Sequence, residues 1–154
     1  MKALIMYYSK SGKTEELANR IKKNLDCDIL KIEPEKSYGS YFWACCRVGI
    51  EKIKKTKVKF KNEIPELNNY DVVLIGYPIW WFDIPSFIAE FLNNCDLKGK
   101  KIIPFATSGN TNISKTMKTI KIICNESEII FPFTYSNNKK DNYEDWIKSI
   151  KKIR

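Results

Sequence analysis

A short apolar run, DVVLIG at residues 71–76, constrains the fold of this chain more than any other segment. Nearly every position in it is apolar, whereas a strand with one wet face alternates apolar and polar residues. Strands of this kind are buried on both faces, as in parallel sheets that carry helices on each side. The run therefore predicts a parallel sheet within an α/β fold.

Strands and helices alternate along the rest of the chain. We predict strands at residues 2–8, 28–33, 71–76, 100–107 and 128–131. We predict helices at residues 13–25, 37–56, 85–92, 112–124 and 141–153. The alternation predicts one domain over residues 1–154, a doubly wound five-stranded parallel sheet in the order 2-1-3-4-5 with helices on both faces.

Two local features refine this prediction. Pro104 lies inside the fourth predicted strand and removes a donor from the ladder, so we expect a bulge or irregular pairing there. Asp141 and Glu144 have the spacing of a capping box at the start of the last helix.

The chain is basic, with 27 Lys and Arg against 18 Asp and Glu and a net charge of +9. Its lysines are spread along the sequence, with one denser run at residues 52–61, and there is no arginine-rich patch or recognition-helix motif. A solvated lysine-rich surface explains the charge better than nucleic-acid binding does. No apolar stretch approaches a membrane span and no leader pattern precedes the first strand, so we expect a cytoplasmic protein without membrane contact.

The chain has five cysteines and no histidine. None of the cysteines forms a C-x-x-C pair, so we expect no zinc or other metal site, and a Ser-His or Cys-His catalytic pair is impossible. The adjacent Cys45 and Cys46 are either a redox device or, the better explanation, small buried hydrophobes in a reducing compartment.

The loop after the first predicted strand has the sequence SKSGKT, residues 9–14. Backbone N–H groups and the dipole at the start of the next helix favour an anion here, and three hydroxyls add hydrogen-bonding groups. The final GKT matches the end of a Walker A motif, but Tyr7 stands where its first glycine belongs, and the motif G-x-G-x-x-G is absent. The loop predicts either a phosphate site or a helix start capped by Ser and Thr.

The loop after residues 71–76 is unusually aromatic, with the sequence YPIWWFDIP at residues 77–85. Trp80, Trp81 and Phe82 lie between two prolines, and such a cluster at a strand end suits stacking on a flat ligand. The alternative is that the rings cover the end of the sheet as core, as we expect of one tryptophan.

A third loop, TSGNT at residues 107–111, contains small and polar residues. They allow close approach of the backbone to a ligand, or cap the next helix. In a doubly wound sheet all three loops lie at the carboxyl ends of the strands, where ligands bind. An anion site, an aromatic wall and polar backbone groups together predict a phosphorylated planar ring as the ligand.

With these segments in this order and spacing, the chain resembles the flavodoxin family. The matching segments are MYYSKSGKT at residues 6–14, GYPIWW at residues 76–81 and PFATSG at residues 104–109. The resemblance implies a flavodoxin-like fold and flavin mononucleotide (FMN) as the cofactor. It implies that the FMN phosphate lies in the first loop, at Ser9, Lys10, Ser11, Gly12, Lys13 and Thr14. It places the flavin ring between a second group, Pro78, Ile79, Trp80, Trp81 and Phe82, and a third, Thr107, Ser108, Gly109 and Asn110.

The chain departs from the family pattern in three respects. Phe82 stands where members with a Pro-x-Trp-Trp loop often have glycine, NTN at residues 110–112 replaces a more glycine-rich run, and flavodoxins are usually acidic.

The resemblance implies an electron carrier, in which the flavin does the redox chemistry and no protein side chain need act as acid or base. The alternative is an FMN-dependent NAD(P)H quinone or nitro-compound reductase on the same fold. A third hypothesis is a flavin-free binding module. For a carrier we expect a redox partner protein and a monomer or weak dimer. Residues 37–62 either shape a partner surface or, as we favour, cover the sheet.

Overall fold

The fold is given by a computed structural model that describes residues 2–35, 60–136 and 142–153. Its strands are β1 (Ala3–Tyr7), β2 (Asp28–Lys31), β3 (Val72–Pro78), β4 (Lys101–Thr107), β5 (Glu128–Ile129) and β6 (Phe133–Tyr135). Its helices are α1 (Lys13–Leu25), α2 (Ser86–Asn93), α3 (Met117–Ile123) and α4 (Tyr143–Lys151), with a 3₁₀ turn at Ile113–Lys115 before α3.

The named strands pair in parallel in the order β2-β1-β3-β4-β5, and β6 also pairs with β4. In the centre of the sheet, Ile5 of β1 lies opposite Leu74 of β3, and Ile75 lies opposite Pro104 of β4. The predicted fold class and strand order are confirmed. All five predicted strands are present among the described residues, and β6 adds a sixth strand just after the one predicted at residues 128–131.

Each face of the sheet has its own core, because successive side chains of a strand point to opposite faces. On one face Ile5 and Phe105 belong to a cluster that includes the apolar sides of α1 and α4. On the other face Met6 and Ile75 belong to a cluster that includes α2 and Ile120 of α3. The prediction of helices on both faces is therefore confirmed.

Strand β4 changes its outer partner at Pro104. The first two residues of β4 pair with β5 and its last three pair with β6, so Pro104 lies between the two stretches. On its inner side Pro104 is in unbroken register with β3, so the expected bulge is absent there and the irregular pairing lies on the outer side. The break between β5 and β6 coincides with Phe131, whose φ of 48° is left-handed, and with Pro132 after it.

The predicted capping box includes Asp141, which lies outside the described residues. Among the described residues the N-cap of α4 is Asn142, whose side chain makes no capping hydrogen bond. Glu144 forms an ion pair with Arg20 of α1, with 2.8 Å between Oε1 and Nη2. The Arg20 guanidinium also lies 3.6 Å above the centre of the Tyr143 ring. These contacts join α1 to α4 on the same face of the sheet.

Several predictions concern residues outside the described ranges, namely the helix at 37–56, most of the lysine run and the Cys45-Cys46 pair. Of the remaining cysteines, Cys27 and Cys124 are buried and Cys95 is partly buried. Burial raises the pKa of Cys95 to about 12 and that of Cys124 to about 11. Within the described ranges, no helix has the length and apolarity to span a membrane, and no cluster of His, Cys, Asp and Glu is suited to a metal ion.

Candidate functional site

The three loops predicted to form a site meet at the carboxyl ends of β1, β3 and β4. They surround a cavity of about 500 Å³, which we call the main cavity. Pockets for small-molecule ligands span about 300–1,000 Å³, so the main cavity has the size of such a pocket. Its lining comes from all three loops and from the end of β6: Ser11, Lys13, Pro78, Ile79, Thr107, Ser108, Gly109, Asn110, Thr111 and Tyr135.

The first loop enters α1 through Gly12. Gly12 is the N-cap and has a φ of 87°, a left-handed conformation that favours glycine. Because a glycine has no side chain with which to cap the helix, the capping role considered for the loop hydroxyls is not taken at this position. Ser11 and Lys13 flank Gly12, are exposed and line the main cavity. An anion is favoured at this helix start by the backbone N–H groups, the helix dipole and the Lys13 charge.

A buried hydrogen bond joins the first loop to the third. The Oγ1 atoms of Thr14 and Thr107 are 2.8 Å apart, and the two residues are only 2% and 7% exposed. Thr107 lines the main cavity and Thr14 lies behind it. Thr14 therefore positions the two loops relative to each other.

Ser9 and Lys10 lie on the other side of the first loop. They line a smaller cavity of about 300 Å³ on the side of β2. The Ser9 hydroxyl is buried and has no hydrogen-bond partner among the described residues. Buried hydroxyls are normally paired, so an unpaired one beside a helix start fits a ligand that brings its own acceptor oxygens, as a phosphate does.

The aromatic loop divides into a buried part and an exposed part. Trp80 is 2% exposed, and its ring meets the Tyr8 ring edge-on with 5.7 Å between centroids. It belongs to the core on the α2 face and does not line the main cavity, as expected of one of the two tryptophans. Pro78 and Ile79, earlier in the same loop, do line the cavity.

Trp81 and Phe82 form the tip of a tight turn. The N–H of Trp80 donates to the carbonyl of Asp83 (2.9 Å), and the N–H of Asp83 donates to the carbonyl of Trp80 (3.0 Å). The tip residues have φ of 52° and 59°, the pattern of a type I′ turn, which usually contains Asn-Gly. They are 58% and 66% exposed and stand outside the main-cavity lining, so they offer aromatic surface beside the site.

The third loop is shaped by its own polar groups. Ser108 Oγ accepts the N–H of Thr111 (2.9 Å), and the Ser136 hydroxyl donates to the carbonyl of Gly109 (2.7 Å). Asn112 caps the 3₁₀ turn by accepting the N–H of Ser114. Residues 107–111 line the cavity, and Asn112, directly after them, caps the 3₁₀ turn.

Tyr135 is the lining residue that sequence reasoning misses. It ends β6, and its carbonyl accepts the N–H of Ser108 (3.1 Å), which fixes the third loop against the strand. The short alternation of Phe133, Thr134 and Tyr135 is the one sequence pattern that could have revealed it.

A polar cluster fixes α1 against β1 and β2. The Tyr7 hydroxyl donates to Glu15 Oε1 (2.9 Å), and Lys31 Nζ lies 3.0 Å from the same oxygen. Hydrogen bonds from Lys31 and Tyr7 hold the pKa of Glu15 below its usual range. Burial raises the pKa of Tyr8 to about 12, so this phenol stays neutral beside the first loop.

The sequence matches the model of the Flavodoxin family over residues 2–150. No curated protein matches it significantly. The match covers all three loops of the site and nearly the whole chain.

Solved structures are similar over almost their full length. A provisionally assigned flavoprotein from Bacteroides uniformis is 28% identical, with a TM-score of 0.84 and 97% of each chain covered. Another from Bacteroides eggerthii is 29% identical, with a TM-score of 0.82 over 99% of this chain and 96% of that one. A Lactobacillus acidophilus flavoprotein in complex with FMN shares the fold at 21% identity, with a TM-score of 0.72 over 94% and 97%. Because the family model matches almost from end to end, this protein belongs to the flavodoxin family.

Proposed function

We propose that this protein binds FMN and acts as an electron carrier for a partner redox protein. The observation that carries the proposal is the main cavity, which joins the start of α1 to two further loops at the edge of the sheet. Membership of the flavodoxin family supports it. The L. acidophilus protein that was solved with FMN has the same fold, which supports the choice of cofactor.

The first loop would hold the FMN phosphate. Lys13 brings the positive charge in the described cavity wall, and Ser11 adds a hydroxyl next to it. Gly12 lets the chain turn into α1 so that backbone N–H groups face the anion. The buried, unpaired hydroxyl of Ser9 lies behind this loop, on the side of the smaller cavity.

The two other loops would hold the flavin ring. Pro78 and Ile79 provide an apolar side, and residues 107–110 provide hydroxyl, amide and backbone groups. The Thr14–Thr107 bond keeps these groups at a fixed distance from the phosphate loop. Bound FMN supplies the redox chemistry, while the protein binds the cofactor, orients it and sets the charge around it.

Titration of the purified protein with FMN tests the cofactor proposal. We expect one FMN per chain, detected by quenching of flavin fluorescence. Ser11→Ala removes a hydrogen bond to a charged group and should weaken binding by about 1.5–3 kcal/mol. Ser149→Ala is the matched control, because this hydroxyl donates to the Asp145 carbonyl on α4. A protein that takes up no FMN would instead be a flavin-free binding module.

A second candidate function is that of an FMN-dependent NAD(P)H quinone or nitro-compound reductase. A cavity of about 380 Å³ adjoins the main cavity and shares Asn110 and Thr111 with it. It is lined by polar groups such as Asn112 and Ser114 and by the apolar side chain of Met117. This space beside the proposed cofactor site suits an organic substrate.

Steady-state oxidation of NADH and NADPH by the FMN-loaded protein separates the two functions. A carrier should oxidise either dinucleotide slowly, with or without a quinone or nitroaromatic acceptor. Rapid, saturable turnover with an acceptor would contradict the carrier proposal and support the reductase.

A further inference from the structure

The smaller cavity beside the first loop has a chemical character of its own. It has a volume of about 300 Å³ and lies between the end of β1, the end of β2 and Lys61. We call it the lysine cleft; its lining includes Ser9, Lys10, Lys31, Glu33 and Lys61. We propose that the lysine cleft binds a phosphate-bearing small molecule at a site separate from the main cavity.

The charge of the cleft favours an anion. Among the described residues, three lysines line it against one glutamate, Glu33. Lys31 is balanced by Glu15 of α1, which lies 3.0 Å from its Nζ. Lys10 and Lys61 form no ion pair with any described residue, so their charges are available to a ligand. Lysine ammonium groups bind phosphate as point charges that need no fixed geometry.

The walls of the cleft are held in place by hydrogen bonds. The N–H of Lys61 donates to the carbonyl of Glu33 (2.8 Å), which fixes the wall that contains Lys61 against the end of β2. The Asn62 side chain accepts the N–H of Glu33 (2.6 Å) and donates to the carbonyl of Lys31 (2.9 Å). The N–H of Ile32 donates to the carbonyl of Tyr7 (2.6 Å), so β2 and β1 stay joined below the cleft. The lysines are thus presented by an ordered backbone.

The size of the cleft selects the class of ligand. A volume of about 300 Å³ is at the lower limit for ligand pockets, enough for a phosphate and an attached sugar. Two free positive charges match the charge of a phosphate monoester, about −1.5 to −2 at pH 7. The two cavities share no lining residue in the part of the chain that the structure describes: Ser9 and Lys10 line the cleft, whereas Ser11 and Lys13 line the main cavity. One anion can therefore bind on each side of the first loop.

Calorimetric titration of the FMN-loaded protein with pyrophosphate at low ionic strength tests the proposal. We expect one saturable site. Lys61→Glu should lower the affinity for pyrophosphate at least about tenfold, because a charged hydrogen bond is replaced by repulsion. Lys61→Gln, which removes the charge without reversing it, should lower this affinity less. Lys23→Glu is the matched control, since Lys23 is exposed in the last turn of α1, about 15 Å along the helix from Lys13, and should change affinity less than about twofold.

Other outcomes are equally clear. Absence of a saturable site, or equal weakening by Lys61→Glu and Lys23→Glu, would show that pyrophosphate responds only to net charge and would overturn the proposal. ADP in place of pyrophosphate identifies the source of the phosphate, since tighter binding of ADP indicates a nucleotide and equal binding a simpler phosphate compound. If the protein takes up no FMN, the same titration of the flavin-free protein still tests the cleft through Lys61→Glu, so the two proposals fail independently.

Discussion

Phe82 has a backbone conformation that its side chain disfavours. Its φ of 59° and the φ of 52° at Trp81 place two aromatic residues in the left-handed region, which costs an ordinary residue about 1–2 kcal/mol. Phe82 is also 66% exposed, so burial of its ring offsets little of that cost. Such outliers are often retained where a site needs the conformation.

Comparison of Phe82→Gly with Phe82→Ala measures this cost. Both changes remove the ring, but only glycine relieves the strain, and it loses about 0.5–1 kcal/mol in chain entropy. We expect the glycine variant to be more stable than the alanine variant by up to about 1 kcal/mol in urea unfolding. Equal stabilities would mean that the turn relaxes out of the left-handed region when the ring is removed.

Thr14 and Thr107 depend on each other. Thr14→Val keeps the shape of the side chain but leaves the Thr107 hydroxyl buried without its partner, which should reduce the free energy of unfolding by about 1–3 kcal/mol. Thr14→Ser keeps the hydroxyl and is the control. The double variant with Thr107→Val should recover part of the loss in denaturant unfolding, and strict additivity of the two single changes would argue against the bond.

At the scale of elements, β3 and β4 fit together through the absence of a side chain. Gly76 of β3 lies opposite Phe105 of β4, and a Cβ at Gly76 would overlap the end of the Phe105 ring. Phe105 is fully buried, and its ring centroid lies 6.5 Å from that of Trp146, so the Phe105 ring has little freedom to move away.

Gly76→Ala should therefore destabilise the protein by about 1–3 kcal/mol through overpacking. Phe105→Leu in the same chain makes room for the added Cβ. The double variant should therefore lose less stability than the sum of the losses in the two single variants. Thermal unfolding of the four proteins gives the coupling energy between the two strands. Additive losses would mean that the two positions do not clash.

The elements with long apolar patterns could be predicted from the sequence. The bounds of α1 match the prediction, because four apolar residues at helical spacing leave few alternatives. β3 is apolar throughout, and the bounds predicted for it, residues 71–76, differ from the observed ones by at most two residues. β6 was missed because it has only three residues and follows the break at Phe131 and Pro132, and so gives little periodicity.

The site was predicted as a set of loops more successfully than as a set of side chains. Strand order fixes which loops meet, so the first, second and third loops do surround one cavity. Side-chain direction within the aromatic loop depends on the turn at Trp81 and Phe82. That turn sends Trp80 into the core, and the residue types at its tip, aromatic instead of Asn-Gly, do not predict such a turn.

At the scale of the whole molecule, a net charge of +9 acts on any anion that the protein binds. Reduction of a bound flavin adds negative charge, which nearby lysines stabilise. We therefore expect a less negative redox potential for bound FMN than acidic flavodoxins have.

Lys13→Gln removes the lysine charge in the described wall of the main cavity and should make the potential of bound FMN more negative, on the order of 30 mV, from the Coulomb energy of one charge about 10–15 Å away. Lys23→Gln, at the far end of α1, removes the same charge and should shift the potential less. Redox titration of the unaltered protein and of the two variants, each loaded with FMN, gives both shifts. Equal shifts would show that net charge alone sets the potential.

The participation of Tyr135 in the main cavity has a consequence for how the protein is made. A chain emerges from the ribosome with its N-terminus first, so the first two loops and α2 are complete long before β6 appears. The cavity gains its last wall only when β6 docks on the outer edge of β4. Retention of a ligand is thereby tied to late translation, and a chain that stalls before residue 133 would leave the pocket open on one side.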